Sequence, residues 1–162
     1  MNTGQMMLAL GAMILLSTTV LRVNSGFLMS DTVLDETKYN FLATSIATSI
    51  IQEAKDKAFD KATDSTSITD TKFLTDKLGP ENGEVRENFN DFDDYHNYTG
   101  ADSSMTSAVF YFTCTVDYID ENNPDVTAGK KTWNKRLTIT VTSPLMTDVI
   151  TMSTIYSYWF FR

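Results

Sequence analysis

No lysine, arginine, aspartate or glutamate occurs before Arg22, and this uncharged opening constrains the chain more than any other feature. About 21 residues at roughly 1.5 Å rise each form a helix that crosses most of a ~30 Å hydrocarbon layer. A cleaved secretory signal is disfavoured, because such signals begin with a basic region and this one has none. As a membrane insert the stretch is interrupted by Gly11, Ser17, Thr18 and Thr19. Its one basic residue, Arg22, stands on the C-terminal side, opposite to the charge bias of an anchor with its N-terminus inside. A charged leader removed just ahead of Met1 resolves that conflict.

Behind the apolar stretch the pattern changes. From Ser30 onward, Leu34, Phe41, Leu42, Ile46, Ile50, Ala54 and Ala58 fall near helical spacing, which predicts an amphipathic helix over residues 30–63. Ser30 or Asp31 is its expected cap, Asp31, Asp35 and Glu36 suit its N-terminal end, and Glu53 with Lys57 forms an i,i+4 pair. Asn24-Ser25-Gly26 is a candidate break; without it, one helix of about 55–60 residues runs through both halves. A chain whose helix is apolar all round at first, then one-sided, suits a subunit. Its first half is buried among copies of itself, and its second half packs on its own sheet.

Residues 64–105 read as a polar, acidic connection with turn signals at Gly79-Pro80 and Asn82-Gly83. Inside it, NFNDFDDYHNYTG spaces Phe89, Phe92, Tyr95 and Tyr98 three apart, so that the aromatic side presses on the globular domain while the acids face water. Three strand patterns follow. The first alternates Phe110, Phe112, Cys114 and Val116 against Tyr111, Thr113, Thr115 and Asp117. The second sets Leu137, Ile139 and Val141 inward, and the third runs from residue 147 to the end. The order helix, loop, sheet gives an α+β fold, a long N-terminal helix packed on a C-terminal antiparallel sheet of at least three strands. The domain division is 1–29 for the hydrophobic helix half and 30–162 for the globular domain, with the sheet in 106–162.

A net charge of −8 argues against a nucleic-acid partner, since phosphate binding needs clustered cations. The single Cys114 leaves no intramolecular disulfide. Neither a nucleophile with a base nor a phosphate loop is legible, so neither enzymatic activity nor a cofactor is expected. Asp91, Asp93, Asp94 and His96 invite a metal reading, but calcium takes about six to eight oxygens and the spacing lacks the D-x-[DN]-x-[DN]-G pattern. A solvated acidic loop without metal is the expectation. Asn97-Tyr98-Thr99 is a glycosylation sequon. Lys130, Lys131, Lys135 and Arg136 are expected to guard an edge strand or to meet an acidic patch on a neighbouring subunit.

In this layout the chain resembles the type IV pilin superfamily, with a long N-terminal helix, a connecting loop, an antiparallel sheet and a terminal tail; sequence similarity is confined to the hydrophobic start. The resemblance implies a leader cut before Met1, N-methylation of Met1, and Gln5 where family members usually carry a glutamate that pairs with a neighbour's amine. Gln5 keeps a hydrogen-bond acceptor and loses the ionic part of that pairing. It further implies a filament core in which Met1, Gln5, Met6, Leu8, Leu10, Gly11, Met13, Ile14, Leu15 and Val20 face other subunits. The product is a helical homopolymer at the cell surface, serving adhesion or motility. Before assembly the subunit is a single-pass inner-membrane protein that meets the pilus assembly machinery. Because the first aromatic is Phe27, the core has no stacked chain for electron transport. The alternatives are a pseudopilin of a secretion system and a single-pass anchored binding domain.

Overall fold

The computed structural model describes residues 2–105 and 108–161. Helix α1 is continuous over Thr3–Lys55, 53 residues. Asn24-Ser25-Gly26 does not interrupt it: a single helical glycine costs about 1 kcal/mol relative to alanine, which a helix of this length absorbs. Nor does a capped start form at Ser30 or Asp31. The hydroxyls that interrupt the apolar stretch are satisfied within the helix. Thr18 and Thr19 both donate to the Leu15 carbonyl, at 3.0 and 2.8 Å. Thr32 reaches Leu28 and Met29, and Thr37 reaches Val33, in the same way. Such back-bonding hides a hydroxyl's polarity from an apolar surrounding.

The chain divides into two compact units, Met1–Tyr39 and Asn40–Arg162. No described residue of the first unit is buried. In the second, α1 buries Ala43, Ile46, Ala47, Ile50 and Ala54. The apolar stripe is therefore shorter than its sequence pattern, and Leu34 and Phe41 stand exposed. The helix also stops at Lys55, short of residue 63. The chain then turns, and Ala58 forms a parallel bridge with Asp91 in which Ala58 N–H donates to Asn90 O at 3.1 Å and Phe92 N–H to Ala58 O at 2.8 Å. A separate short helix, α2, follows over Lys61–Asp64, capped by Asp60.

Four antiparallel strands form one sheet in the order of the chain: β1 Thr99–Asp102, β2 Phe110–Tyr118, β3 Asn134–Thr142 and β4 Ile150–Ser157. The alternation predicted for β2 and β3 holds. Cys114 lies opposite Ile139, Val116 opposite Leu137 and Phe112 opposite Val141, all of them buried. Each such side chain removed from water contributes roughly 1.5–3 kcal/mol before chain entropy is counted. Two details differ from the sequence reading. β1 lies inside the segment read as connection, because its TGAD sequence carries no apolar alternation. The last strand ends at Ser157, and Tyr158–Phe161 is a 3₁₀ turn in which Tyr158 stacks on Trp133 at 5.0 Å.

Gly100 in β1 faces Phe112, whose ring lies where a side chain would be. A Cβ at position 100 would come within 2.5 Å of that ring, and the ring is buried against Tyr98. Gly100→Ala is expected to destabilise the globular unit by roughly 1–3 kcal/mol, read from the urea midpoint; an unchanged midpoint would show that the ring moves freely.

Candidate assembly helix and buried charge cluster

The described residues expected to carry assembly lie on α1. Met6, Leu8, Leu10, Met13, Ile14, Leu15 and Val20 are each more than half exposed. Gln5 and Gly11 are exposed too, and Gly11 leaves a shallow apolar notch between Met7, Leu8, Ala12 and Leu15. Met1, with its predicted methylation, lies outside the described residues. The hydrophobic side chains are not confined to one face, since consecutive residues from Ile14 to Leu16 are all exposed. The helix is long and apolar enough to cross a membrane, and it is compatible with a single-pass anchor.

In the second unit the acidic stretch after residue 88 contradicts its expected solvation. Phe92, Asp93, Asp94 and Tyr95 form a buried 3₁₀ turn whose N-cap, Asp91, is buried as well. Lys135, assigned from sequence to a surface basic cluster, is fully buried on the inner face of β3. Strand alternation explains this. Lys135, Leu137, Ile139 and Val141 are spaced by two, so the lysine points where the leucine points.

There Lys135 Nζ donates to Asp60 Oδ2 at 2.8 Å, to the Phe59 carbonyl at 2.9 Å, and to Asp93 Oδ1. The Phe59 ring lies 4.6 Å away and the Tyr118 ring 5.2 Å away, both in cation–π range. Asp60 is held from several sides: the Thr75 amide at 3.0 Å on Oδ2, and the Thr75 hydroxyl and Ala62 amide at 3.0 and 3.1 Å on Oδ1. The Tyr118 hydroxyl, which donates to the Thr75 carbonyl at 3.0 Å, lies 3.3 Å from the same carboxylate.

Burial works against the Asp60 anion, but the Lys135 ammonium and the amides outweigh it and hold its carboxyl below the ordinary aspartate range. Asp91 goes the other way. Burial first, then the neighbouring Asp93 carboxylate, push it up to about 9, so it keeps its proton at neutral pH. Asp93 is raised by burial despite Lys135. One cation, one firmly held anion and two further carboxyls whose ionisation burial opposes therefore occupy one buried site.

The other basic residues are placed differently. Lys131 pairs with Asp76 at 2.7 Å and bonds the Leu74 carbonyl, and Arg136 bonds the carbonyls of Pro124 and Asp125. Lys130 is exposed. These contacts tie loops to the sheet within the chain. His96 is not drawn into a ligand set with the aspartates. Its Nδ1 accepts the Val116 amide at 3.1 Å, continuing the β1–β2 ladder. Asn97 is exposed at a left-handed turn, φ 59°, a conformation asparagine tolerates. Among the described residues the acidic group able to hold a cation is a different one, Glu81, Glu84 and Asp94, with carboxylate oxygens within 4.8 Å of one another. Lys61 already pairs with Glu81 at 2.7 Å. Contact with Glu81 raises the Glu84 carboxyl.

Where α1 meets the acidic turn, Arg86 forks onto Glu53 through Nε, at 3.1 Å, and through Nη2, while the Tyr95 hydroxyl donates to Glu53 at 2.8 Å. This replaces the predicted Glu53–Lys57 pair. The Arg86 hydrogen bond depresses the Glu53 carboxyl below its usual 4.5, so its contribution is complete above that value and is lost as pH falls through the depressed one. Both side chains are about a third exposed, so screening keeps the effect small. Glu53→Gln is expected to cost about 0.5–1 kcal/mol at pH 7 and nothing at a pH low enough to protonate the carboxyl, a difference that paired thermal melts resolve.

No family model matches the chain, and comparison with curated proteins and with solved structures returned no significant match.

Proposed function

We propose that this chain is the structural subunit of a type IV pilin-like filament at the cell surface, polymerising through α1 and serving adhesion or motility. The observation that carries the reading is the first part of α1. It is a continuous helix, apolar around its whole circumference, in a unit none of whose described residues is buried, joined to a second unit with its own core. Such a helix needs a complete apolar covering. A bilayer supplies that covering before assembly, and the same helix from neighbouring subunits supplies it afterwards. The proposal includes N-methylation of Met1, handling by a pilus assembly machinery, and the absence of catalysis. The test is electron microscopy with mass spectrometry of material sheared from cells. Filaments built of this chain are expected; finding it only as a monomer in membranes would overturn the reading.

A second reading, a pseudopilin of a secretion system, is favoured by the Glu81, Glu84 and Asp94 group, which offers a cation three carboxylates. It requires chelation to lower the melting temperature of the full chain, whereas the filament reading expects the melt to be unchanged.

A further inference from the structure

The buried cluster brings together every part of a condensation reaction. Lys135 Nζ and an Asp93 carboxyl oxygen are in direct contact, and both side chains are withdrawn from water, Lys135 at 0% and Asp93 at 2% exposure. The Asp91 carboxyl, also buried, is fixed beside that of Asp93 by the Asp93 amide, which donates to its Oδ1 at 2.9 Å. On the other side of the amine, Asp60 Oδ2 lies 2.8 Å away. Phe59 and Tyr118 wall the amine. A simple buried ion pair has use for one carboxylate; a second on the same ammonium and a third buried beside it are unnecessary to it and costly to bury.

We propose that Lys135 and Asp93 join through an intramolecular isopeptide bond between Nζ and the Asp93 carboxyl carbon. The ammonium passes one proton to the Asp93 carboxylate it touches, and the free amine attacks the carbon of the carboxylic acid so formed. Asp91 donates its proton to the second Asp93 oxygen as the tetrahedral centre forms and takes one back from the new C–N centre. Collapse of that centre breaks one carbon–oxygen bond. The departing hydroxyl leaves as water with a proton from Asp91, which regains its own from the hydroxyl that stays behind, while Asp60 remains ionised throughout. In sum an ammonium and a carboxylate become an amide and one water, with no oxidant or cofactor required. Holding the reactants in contact replaces an encounter that in solution would need an effective concentration on the order of 10⁵ M or more. The dry surroundings disfavour return by hydrolysis.

Asp93, and not Asp60, is the electrophile. Both oxygens of Asp60 are occupied by backbone and hydroxyl donors that stabilise the anion, while Asp93 is polarised by a neutral acid beside it. The bond would close the chain between positions 42 residues apart, tying the acidic turn to a central strand. It does not rest on the filament reading, and either can fail alone.

The test is peptide mapping by mass spectrometry on the full chain, purified in detergent and denatured before digestion. A joined peptide carrying Asp93 and Lys135, one water lighter than its two parts, is expected. Recovery of the two parts separately, or joining through Asp60, would overturn the proposal. Asp91→Asn keeps the size of the side chain and removes the acid, so bond formation is expected to slow by about 100-fold or more, leaving the two peptides separate in freshly made protein. An equal joined fraction in that variant would overturn the role given to Asp91. If the variant does not fold, the map of the natural chain decides.

Discussion

Lys135→Ala is expected to lower the melting temperature of the globular unit by roughly 10–20 °C, the largest single-residue effect on its stability. The substitution removes the cation from a site where Asp60 and Asp93 are buried, and stranding a buried charge costs about 3–5 kcal/mol. It also opens a cavity between Phe59 and Tyr118. The direction is the same whether Lys135 meets Asp93 as an ion pair or as an amide, since both are lost. The compensated variant Lys135→Met with Asp60→Asn and Asp93→Asn separates charge from packing. It leaves no ion behind and is expected to recover most of the loss, because buried ion pairs exchanged for neutral groups of similar volume are often neutral in stability. Thermal melts of the three proteins decide it. Equal melting of Lys135→Ala and the natural chain would mean that water reaches the cluster.

On the filament reading proposed above, Ile14→Lys is expected to abolish filaments while leaving the protein in the membrane. One lysine at the centre of a spanning helix costs about 2.5–3.5 kcal/mol on insertion scales, which the many exposed apolar residues of α1 outweigh. In a filament the same charge would be enclosed by neighbouring helices at every repeat, with no acidic partner on the helix before Asp31 and with no water to reach it. Sheared fractions should therefore lose the protein and membrane fractions keep it. The melt of the globular unit should not change, because that unit has its own core. Filaments at normal abundance in this variant would show that α1 is not the assembly surface.

The architecture was readable from short-range patterns. An uncharged start, a helical stripe and the alternation in β2 and β3 are properties of neighbouring residues, since helix and strand periods are set by the backbone. The structure departs from these patterns where a neighbour in space outweighs a neighbour in sequence. Helical spacing alone continues the helix to residue 63, but Ala58 is taken by the bridge to Asp91. Spacing alone pairs Glu53 with Lys57, while Arg86 arrives from a distant turn. β1 lacks alternation and exists because β2 offers it an edge.

The charged cluster divides the same way. That Lys135 sits at an inward position of β3 follows from its spacing to Leu137 and Ile139, and the sequence alone contained that signal. That a lysine there is tolerable does not follow from it. Asp60 is 75 residues away from Lys135 and Asp93 is 42. Only the folding of the long connection back over the sheet brings them to one nitrogen. The sequence determined which faces are apolar, because burial propensity and backbone period are local. The tertiary structure decided which charges are buried together, because the cost of burying each one is set by whether the others arrive.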